Sequence, residues 1–225
     1  MIELENEKEI FEAGYVGIVP FLMKENEDGL YIEAYSGLED LAVQFELRFE
    51  NEYFEKAALE WLDVNIRDYL EEHGYYREDR GVYRWYHSFV LDDIDALNTS
   101  LIRPDTVHLT KKTPSQTLIK ANEHLELSMP VFATLDKGEV ISIATLNPHS
   151  EGQMCLEITA ETAVSYRRHG YAASNAAALS KYLLENGYSV AYCCSRYNKT
   201  SAKIAKKIGF KENGRFYAVD AYKKQ

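Results

Sequence analysis

The sequence has little cysteine and no cysteine pattern that would bind a metal or form a disulfide framework. Its three cysteines are Cys155, Cys193 and Cys194, an odd number with two members adjacent. Disulfide-rich domains and structural zinc sites both need paired spacings that this set lacks. We therefore expect buried thiols in a reducing compartment, with Cys193 and Cys194 on opposite faces of a strand.

Long apolar runs and positive charge are also scarce. No stretch approaches the ~18 apolar residues of a membrane span, and the acidic N-terminus lacks a signal-peptide pattern. A formal net charge of −11 argues against general nucleic-acid binding, which needs a basic surface. We expect a soluble cytoplasmic protein without a metal, a membrane partner or a nucleic-acid partner. The oligomeric state stays open, with a homodimer among the alternatives.

Charge divides the chain unevenly. Residues 1–100 contain 8 Lys/Arg and 25 Asp/Glu, a net of −17, whereas residues 101–225 contain 17 and 11, a net of +6. This asymmetry indicates either two regions with different tasks or two ordinary solvated surfaces. We place a soft domain boundary near residue 100. Region 1–100 carries no motif that assigns it a role, and a degenerate repeat, a wall of an acceptor site and a packing region are alternatives.

Hydrophobic periodicity predicts the elements of the first region. Strands are expected at 16–22 and 30–35 around the polar turn 24–29, then a helix at 52–73 and a strand at 81–91. The apolar stripe of the helix comprises Ala57, Ala58, Trp61, Leu62, Ile66, Tyr69 and Leu70. The helix end "YLEEHGY" (69–75) resembles "YLLENGY" (182–188), either as a remnant of duplication or by coincidence.

The second region alternates strands and helices, which predicts an α/β fold with a mixed sheet. The expected elements are a helix at 114–127, a hairpin of 131–135 and 140–146 around 136–139, a strand at 153–164, a helix ending at Gly187, a strand at 188–194, a helix at about 200–208 and a β segment at 215–222.

The strand at 153–164 is expected to present two different faces. Met154, Leu156, Ile158, Ala160, Thr162 and Val164 alternate onto a mostly core face. The other face carries Glu157 and Glu161, which stand roughly 13 Å apart at about 3.3 Å per residue. Two carboxylates so far apart cannot serve one reacting centre, so at most one of them acts as an acid or base there.

Positive charge gathers where this strand leads into the next helix, in the stretch "YRRHGYAA" (166–173). A helix N-terminus already carries partial positive charge, so basic residues there favour a bound anion. We expect Gly170 to let the backbone approach a ligand closely, and Ala172 and Ala173 to keep the first turn slim. The loops GxxxxGK[ST] and GxGxxG, which bind nucleoside triphosphates and dinucleotides, are both absent.

Two motifs resemble the GNAT superfamily of acetyl-CoA-dependent N-acetyltransferases. "RRHGYA" (167–172) is similar to its Q/R-x-x-G-x-G/A motif, and "NKTSAKIAKKIGF" (198–210) is similar to a second signature that follows at a suitable distance. The resemblance covers about residues 108–225. It implies a mixed, mostly antiparallel sheet flanked by helices, acetyl-CoA as the acyl donor and an amine acceptor, either a small molecule or an exposed group.

The resemblance also implies which residues bind the cofactor. In the superfamily, a strand that splays from its neighbour pairs with the pantetheine arm, and the following loop and helix turn bind the pyrophosphate. The corresponding residues here are Ala160, Glu161, Thr162 and Val164 for the arm, Arg167, Arg168, His169, Gly170, Tyr171, Ala172 and Ala173 for the pyrophosphate, and Asn198 with Ser201 for a further contact to the arm.

Catalysis in the superfamily is direct attack of an amine on a thioester, which needs a base. Glu157 is the first candidate and Glu161 the second, and each has an exposed structural carboxylate as its alternative reading. Many members carry a Tyr seven residues after the motif Asn, where this chain has Ala205. That departure leaves the group that protonates the thiolate open. It also favours one alternative to acetyl transfer, a silent acyl-CoA-binding module. A further alternative is a transferase of longer acyl or aminoacyl groups, which the sequence does not separate from an acetyltransferase.

Overall fold

The computed structural model describes residues 1–13, 15–77, 85–110, 129–147 and 154–224. The chain divides into two compact units, Met1–Tyr86 together with the residues from Gly214 onward, and His87–Asn213. None of the helices in the described ranges is long and apolar enough to cross a membrane.

The first unit pairs its strands in the order β1–β3–β2–β11, with β4 also on β11. Its elements are β1 (Ile2–Glu5), α1 (Lys8–Ala13), β2 (Gly17–Asn26), β3 (Gly29–Tyr35), α2 (Glu39–Arg48), α3 (Lys56–Glu72), β4 (Tyr75–Tyr76) and the larger part of β11 (Lys211–Lys223). β1 is parallel to β3, whereas β2 is antiparallel to β3 and β11 is antiparallel to both β2 and β4.

The second unit pairs its strands in the order β5–β10–β9–β8–β7–β6. Its elements are β5 (Tyr86–Leu91), β6 (Thr106–Leu109), β7 (Val131–Asp136), β8 (Glu139–Leu146), β9 (Cys155–Thr162), α4 (Tyr171–Glu185), β10 (Ser189–Ser195) and α5 (Lys199–Ile208). β6 to β9 are antiparallel, and β10 is parallel to β9. The expected mixed, mostly antiparallel sheet flanked by helices is confirmed.

Each unit has its own apolar core. In the first unit the fully buried Phe21, Met23, Ile32 and Phe45 pack with α3. In the second, α4 and α5 cover one sheet face through Leu179, Leu183 and Ile208. Cys194 joins this core whereas Cys193 is half-buried on the opposite face, as the strand alternation predicts. All three cysteines are free thiols.

Several expected bounds need correction. α3 begins at Lys56 rather than 52, and its buried stripe contains Leu59 instead of the exposed Ala57. Ala57 lies nine residues before Ile66, about 180° around a helix, and therefore faces solvent.

The first hairpin closes over two residues, because β2 extends to Asn26, which pairs with Gly29. The expected elements did not include β1, α1, α2 or β6. The helix expected at 114–127 lies outside the described residues.

Candidate functional site

The central feature of the second unit is a parallel strand pair that separates partway along its length. Registered pairs between β9 and β10 run from Cys155–Ser189 to Glu157–Ala191 and stop there. β9 continues for five more residues, still paired with β8 as far as Thr162–Ser142. The edge of β9 that faced β10 is therefore open to another partner beyond Glu157 in the described part of the chain.

Backbone hydrogen bonds show which residues of β9 face this opening. Glu157 O accepts from Asn147 N at 2.7 Å and Ala163 N donates to Ile141 O at 2.9 Å, so these peptide groups point towards β8. Peptide groups alternate along a strand, so those of Ala160 and Thr162 point into the opening. The main chain of Glu161 points towards β8, where its carbonyl accepts from the Ser142 hydroxyl at 3.0 Å.

A tight loop connects β9 to α4. It begins with a 3-10 turn at Val164–Tyr166 and passes through left-handed conformations at Arg168, with φ of 70°, and Gly170, with φ of 85°. Arg167 folds back, and its Nε donates to Thr162 O at 3.1 Å. The loop geometry thus leaves Arg168 and His169 as exposed cationic or ionisable groups before the helix.

The N-terminus of α4 has no side-chain cap. Gly170 occupies the cap position, and the first main-chain bond runs from Ser174 N to Gly170 O at 3.0 Å. The N–H groups of Tyr171, Ala172 and Ala173 precede this bond and point along the helix axis, as an anion site requires. A Cβ on Gly170 would meet nothing within 4 Å, so its positive φ, rather than close protein packing, requires glycine.

The second motif forms both ends of α5. Asn198 Oδ1 accepts from Ser201 N at 3.1 Å and caps the N-terminus. At the other end, Gly209 has φ of 119° and lies against the backbone of Ala96, where a Cβ would overlap. The motif therefore has a clear structural role in capping and packing, and the cofactor role expected of Asn198 and Ser201 stays a prediction.

The position of the absent tyrosine lies inside the core. Ala205 is fully buried between α5 and the sheet. Tyr192 is hydrogen-bonded with Ser201 of this helix, and burial raises the pKa of Tyr192. Because Tyr192 also packs on Phe210 with ring centroids 5.8 Å apart, it is a core residue rather than an accessible acid.

Glu157 lies where the two strands separate, on the face of the sheet opposite α4. Burial, followed by the charges of Asp92 and Glu157, raises the pKa of the Cys155 thiol, and burial with the charge of Glu157 raises that of Cys193 to about 12. Both thiols are therefore protonated near neutral pH and are poor nucleophiles. Glu161 lies four residues further along the same face, opposite Ile143. The structure thus brings Glu157, and not Glu161, to the point of strand separation.

Arg103 is a neighbour of the loop that the sequence did not reveal. Its guanidinium lies 4.7 Å from the ring centroid of Tyr171, the first residue of α4. It also forms a bidentate pair with Asp105 at 2.9 and 3.0 Å, which lowers the pKa of that carboxyl. No local pattern around residue 103 signals this contact, because only the folded chain brings it to α4.

These features define a mixed α/β domain in which an open strand edge on β9 is followed by a basic loop and an uncapped helix N-terminus. Residues 131–219 match the model of the GNAT acetyltransferase family. This match confirms the resemblance to the GNAT superfamily that the two motifs predict. No curated protein matches the chain in sequence.

A similar solved structure from the GNAT family supports the fold. The chain is similar to a GNAT-family protein from Novosphingobium aromaticivorans with a TM-score of 0.53 and 14% identity, over 68% of this chain and 69% of that one. It also matches a GCN5-related N-acetyltransferase from Sphaerobacter thermophilus, with a TM-score of 0.48, 9% identity and coverage of 87% and 72%. At these identities the likeness concerns the fold alone.

Proposed function

We propose that this protein is an N-acetyltransferase that transfers the acetyl group of acetyl-CoA directly to a primary amine. The observation that carries the proposal is the adjacency along the chain of two features, the open edge of β9 at Ala160 and Thr162 and the uncapped N-terminus of α4. One suits an extended amide-containing arm, and the other suits a phosphate. Three free cysteines are consistent with a cytoplasmic location.

The residues of this region suit such a cofactor. Peptide groups of Ala160 and the N–H of Thr162 are placed to pair with the amides of the pantetheine arm, with Val164 following at the loop. The N–H groups of the first turn of α4 would bind the pyrophosphate, with Arg168 and His169 adding charge. Arg167 also holds the end of β9, because its Nε donates to Thr162 O, and its contact with the pyrophosphate stays a prediction.

Acetyl-CoA supplies an acyl group that is activated as a thioester. The chain must position the amine, remove its proton and stabilise charge on the carbonyl oxygen. Glu157 is the proposed base because it lies at the strand separation, where the arm would end. Glu161 is the second candidate. Ala205 offers no acid for the departing sulfur, so the proton for that atom comes from solvent or from another group.

The test is to measure coenzyme A binding by calorimetry and free-thiol release with acetyl-CoA and a panel of primary amines. We expect binding and amine-dependent thiol release. Binding without turnover on any amine would instead favour a silent acyl-CoA-binding module, and turnover only with longer acyl donors would favour a different transferase. Absence of coenzyme A binding would refute the proposal altogether.

A further inference from the structure

A cluster of buried polar side chains lies beneath the candidate site, between α4 and the sheet. Asn175, Ser174 and Ser142 are fully buried, and Thr134 is 1% exposed. Apart from Ser180, the other buried residues of helix α4 are alanine and leucine. Burying an amide and several hydroxyls is costly unless each is hydrogen-bonded, so this cluster has a cost that an apolar set would not have.

Asn175 is the centre of the cluster. Its Oδ1 accepts from the hydroxyls of Thr106 at 3.2 Å and Thr134 at 3.1 Å. Its Nδ2 donates to the Ser142 hydroxyl at 3.0 Å. One side chain of α4 therefore holds three strands, β6, β7 and β8, through a hydroxyl of each.

From Asn175 the bonds lead to both parts of the candidate site. The Ser142 hydroxyl donates to Glu161 O at 3.0 Å and lies 2.8 Å from the Thr162 hydroxyl, at the end of β9. On the other side, the Thr106 hydroxyl lies 2.6 Å from that of Ser174, in the first turns of α4.

The hydrogen bonds of the cluster form chains in which each hydroxyl donates to the next group. Arg103 N donates to Ser174 Oγ at 2.9 Å, so the Ser174 proton serves Thr106 and the Thr106 proton serves Asn175. Likewise, the Thr162 hydroxyl donates to Ser142, whose own proton serves Glu161 O. Each hydroxyl proton has one acceptor, which makes the cluster rigid and specific in geometry.

We propose that Asn175 is a positioning residue that sets the end of β9 relative to the N-terminus of α4, and that coenzyme A affinity depends on it. The inference rests on the proposed function, because it assigns these two elements to the arm and the pyrophosphate of one ligand. A ligand that spans two elements binds tightly only when they are held at the correct separation. Asn175 is buried, so it acts through Thr162 and Ser174 and touches no ligand.

Helix α4 offers a matched control. Ser180 is also fully buried, and its Oγ has no hydrogen-bond partner among the described residues. Ser180→Ala removes a buried polar atom from the same helix without touching the cluster. Leu183→Ala, in the apolar core of the same helix, lowers stability through a cavity and serves as a control for destabilisation alone.

The experiment compares the Kd of coenzyme A for the full-length protein and for these variants, well below each unfolding temperature. We expect Asn175→Leu, which keeps the volume and removes the bonds, to weaken binding by about tenfold or more. Ser180→Ala and Leu183→Ala should stay within about twofold of the unchanged protein. Asn175→Leu binding as tightly as the unchanged protein, or Leu183→Ala losing as much affinity, would overturn the proposal.

Two further measurements keep the test decisive. If Asn175→Leu does not fold, Ser142→Ala, which removes the link to β9, is judged by the same criteria. Amide exchange tests the positioning without ligand: the Ala163 N–H should exchange faster in the variant, while the Asn147 N–H at the other end of the ladder should not. If the unchanged protein fails to bind coenzyme A, the proposed function fails. Unaltered exchange at Ala163 in the Asn175→Leu variant would overturn the positioning role, whether or not coenzyme A binds.

Discussion

At the scale of single residues, the structure gives a geometric reason for ranking one carboxylate of β9 above the other. Both lie on one face of β9, yet only Glu157 belongs to the last registered pair with β10. Glu161 lies four residues beyond, and its main chain points towards β8. The strand separation therefore ranks Glu157 first, on geometry that no residue spacing along the chain contains.

Replacement of Glu157 tests this ranking. We expect Glu157→Gln to lower kcat by about 100-fold near neutral pH, the usual scale for loss of a general base, with the Kd of coenzyme A unchanged. Steady-state kinetics with a reactive amine, together with calorimetry, would measure both quantities. Glu161→Gln is the matched control and should retain most activity. The reverse result would transfer the role to Glu161, and an unchanged rate in both would remove the strand carboxylates from the mechanism.

At the scale of elements, the two ends of α4 use glycine in the same conformation for different purposes. Gly170 has φ of 85° and Gly187 has φ of 84°, and a Cβ on either would meet nothing within 4 Å. Gly187 ends the helix, beside Asn186, whose Nδ2 donates to Tyr182 O at 2.7 Å. Helix α3 ends similarly, with His73 Nδ1 2.8 Å from Tyr69 O. The sequence similarity between residues 69–75 and 182–188 thus corresponds to a shared mode of helix termination. The preference for glycine after a helix end accounts for such a similarity without a duplication.

This symmetry supplies a test of the phosphate site. Gly170→Val and Gly187→Val should cause similar backbone strain, about 1–2 kcal/mol each, because both force a β-branched residue to positive φ. Only Gly170→Val should also abolish measurable coenzyme A binding, since its side chain would project where the pyrophosphate is proposed to lie. Calorimetry and thermal unfolding measure the two effects. Equal affinities in the two variants would show that the pyrophosphate does not bind at this end of α4.

At the scale of the whole molecule, protonated buried acids affect stability at high pH. Burial, with Glu157 nearby, raises the pKa of Cys193 from 9.0 to about 12. Burial, with Glu5 nearby, raises that of Tyr35 from 10.0 to about 12. The unfolded chain loses these protons first, so the stabilisation is complete below pH 9 and is lost as the pH rises towards 12.

We therefore expect the free energy of unfolding to decrease steadily between pH 9 and pH 11 at constant ionic strength. Urea unfolding at several pH values measures the slope. Cys193→Ala should reduce the slope, because it removes one of the contributing groups, and replacement of Tyr197, which is exposed, serves as the control. A free energy that stays constant over this range would contradict the expectation.

The sequence alone determined the elements whose signals are local. The hairpin of β7 and β8, the course of α4, the opposite faces of Cys193 and Cys194, and the two motifs of the GNAT region follow from periodicity, turn residues and short patterns, because neighbouring residues generate them. The chain passes from the first compact unit to the second between residues 86 and 87 and returns to the first at residue 214, whereas the sequence predicts a boundary near 100.

Only the tertiary structure decided the features that depend on distant strands. The ladder between β9 and β10 ends at Glu157 because the two strands diverge there. The same holds for Arg103 on Tyr171 and for Asn175 amid the hydroxyls of β6, β7 and β8. In each case residues far apart in the chain must first be brought together, and a sequence pattern records no such distance.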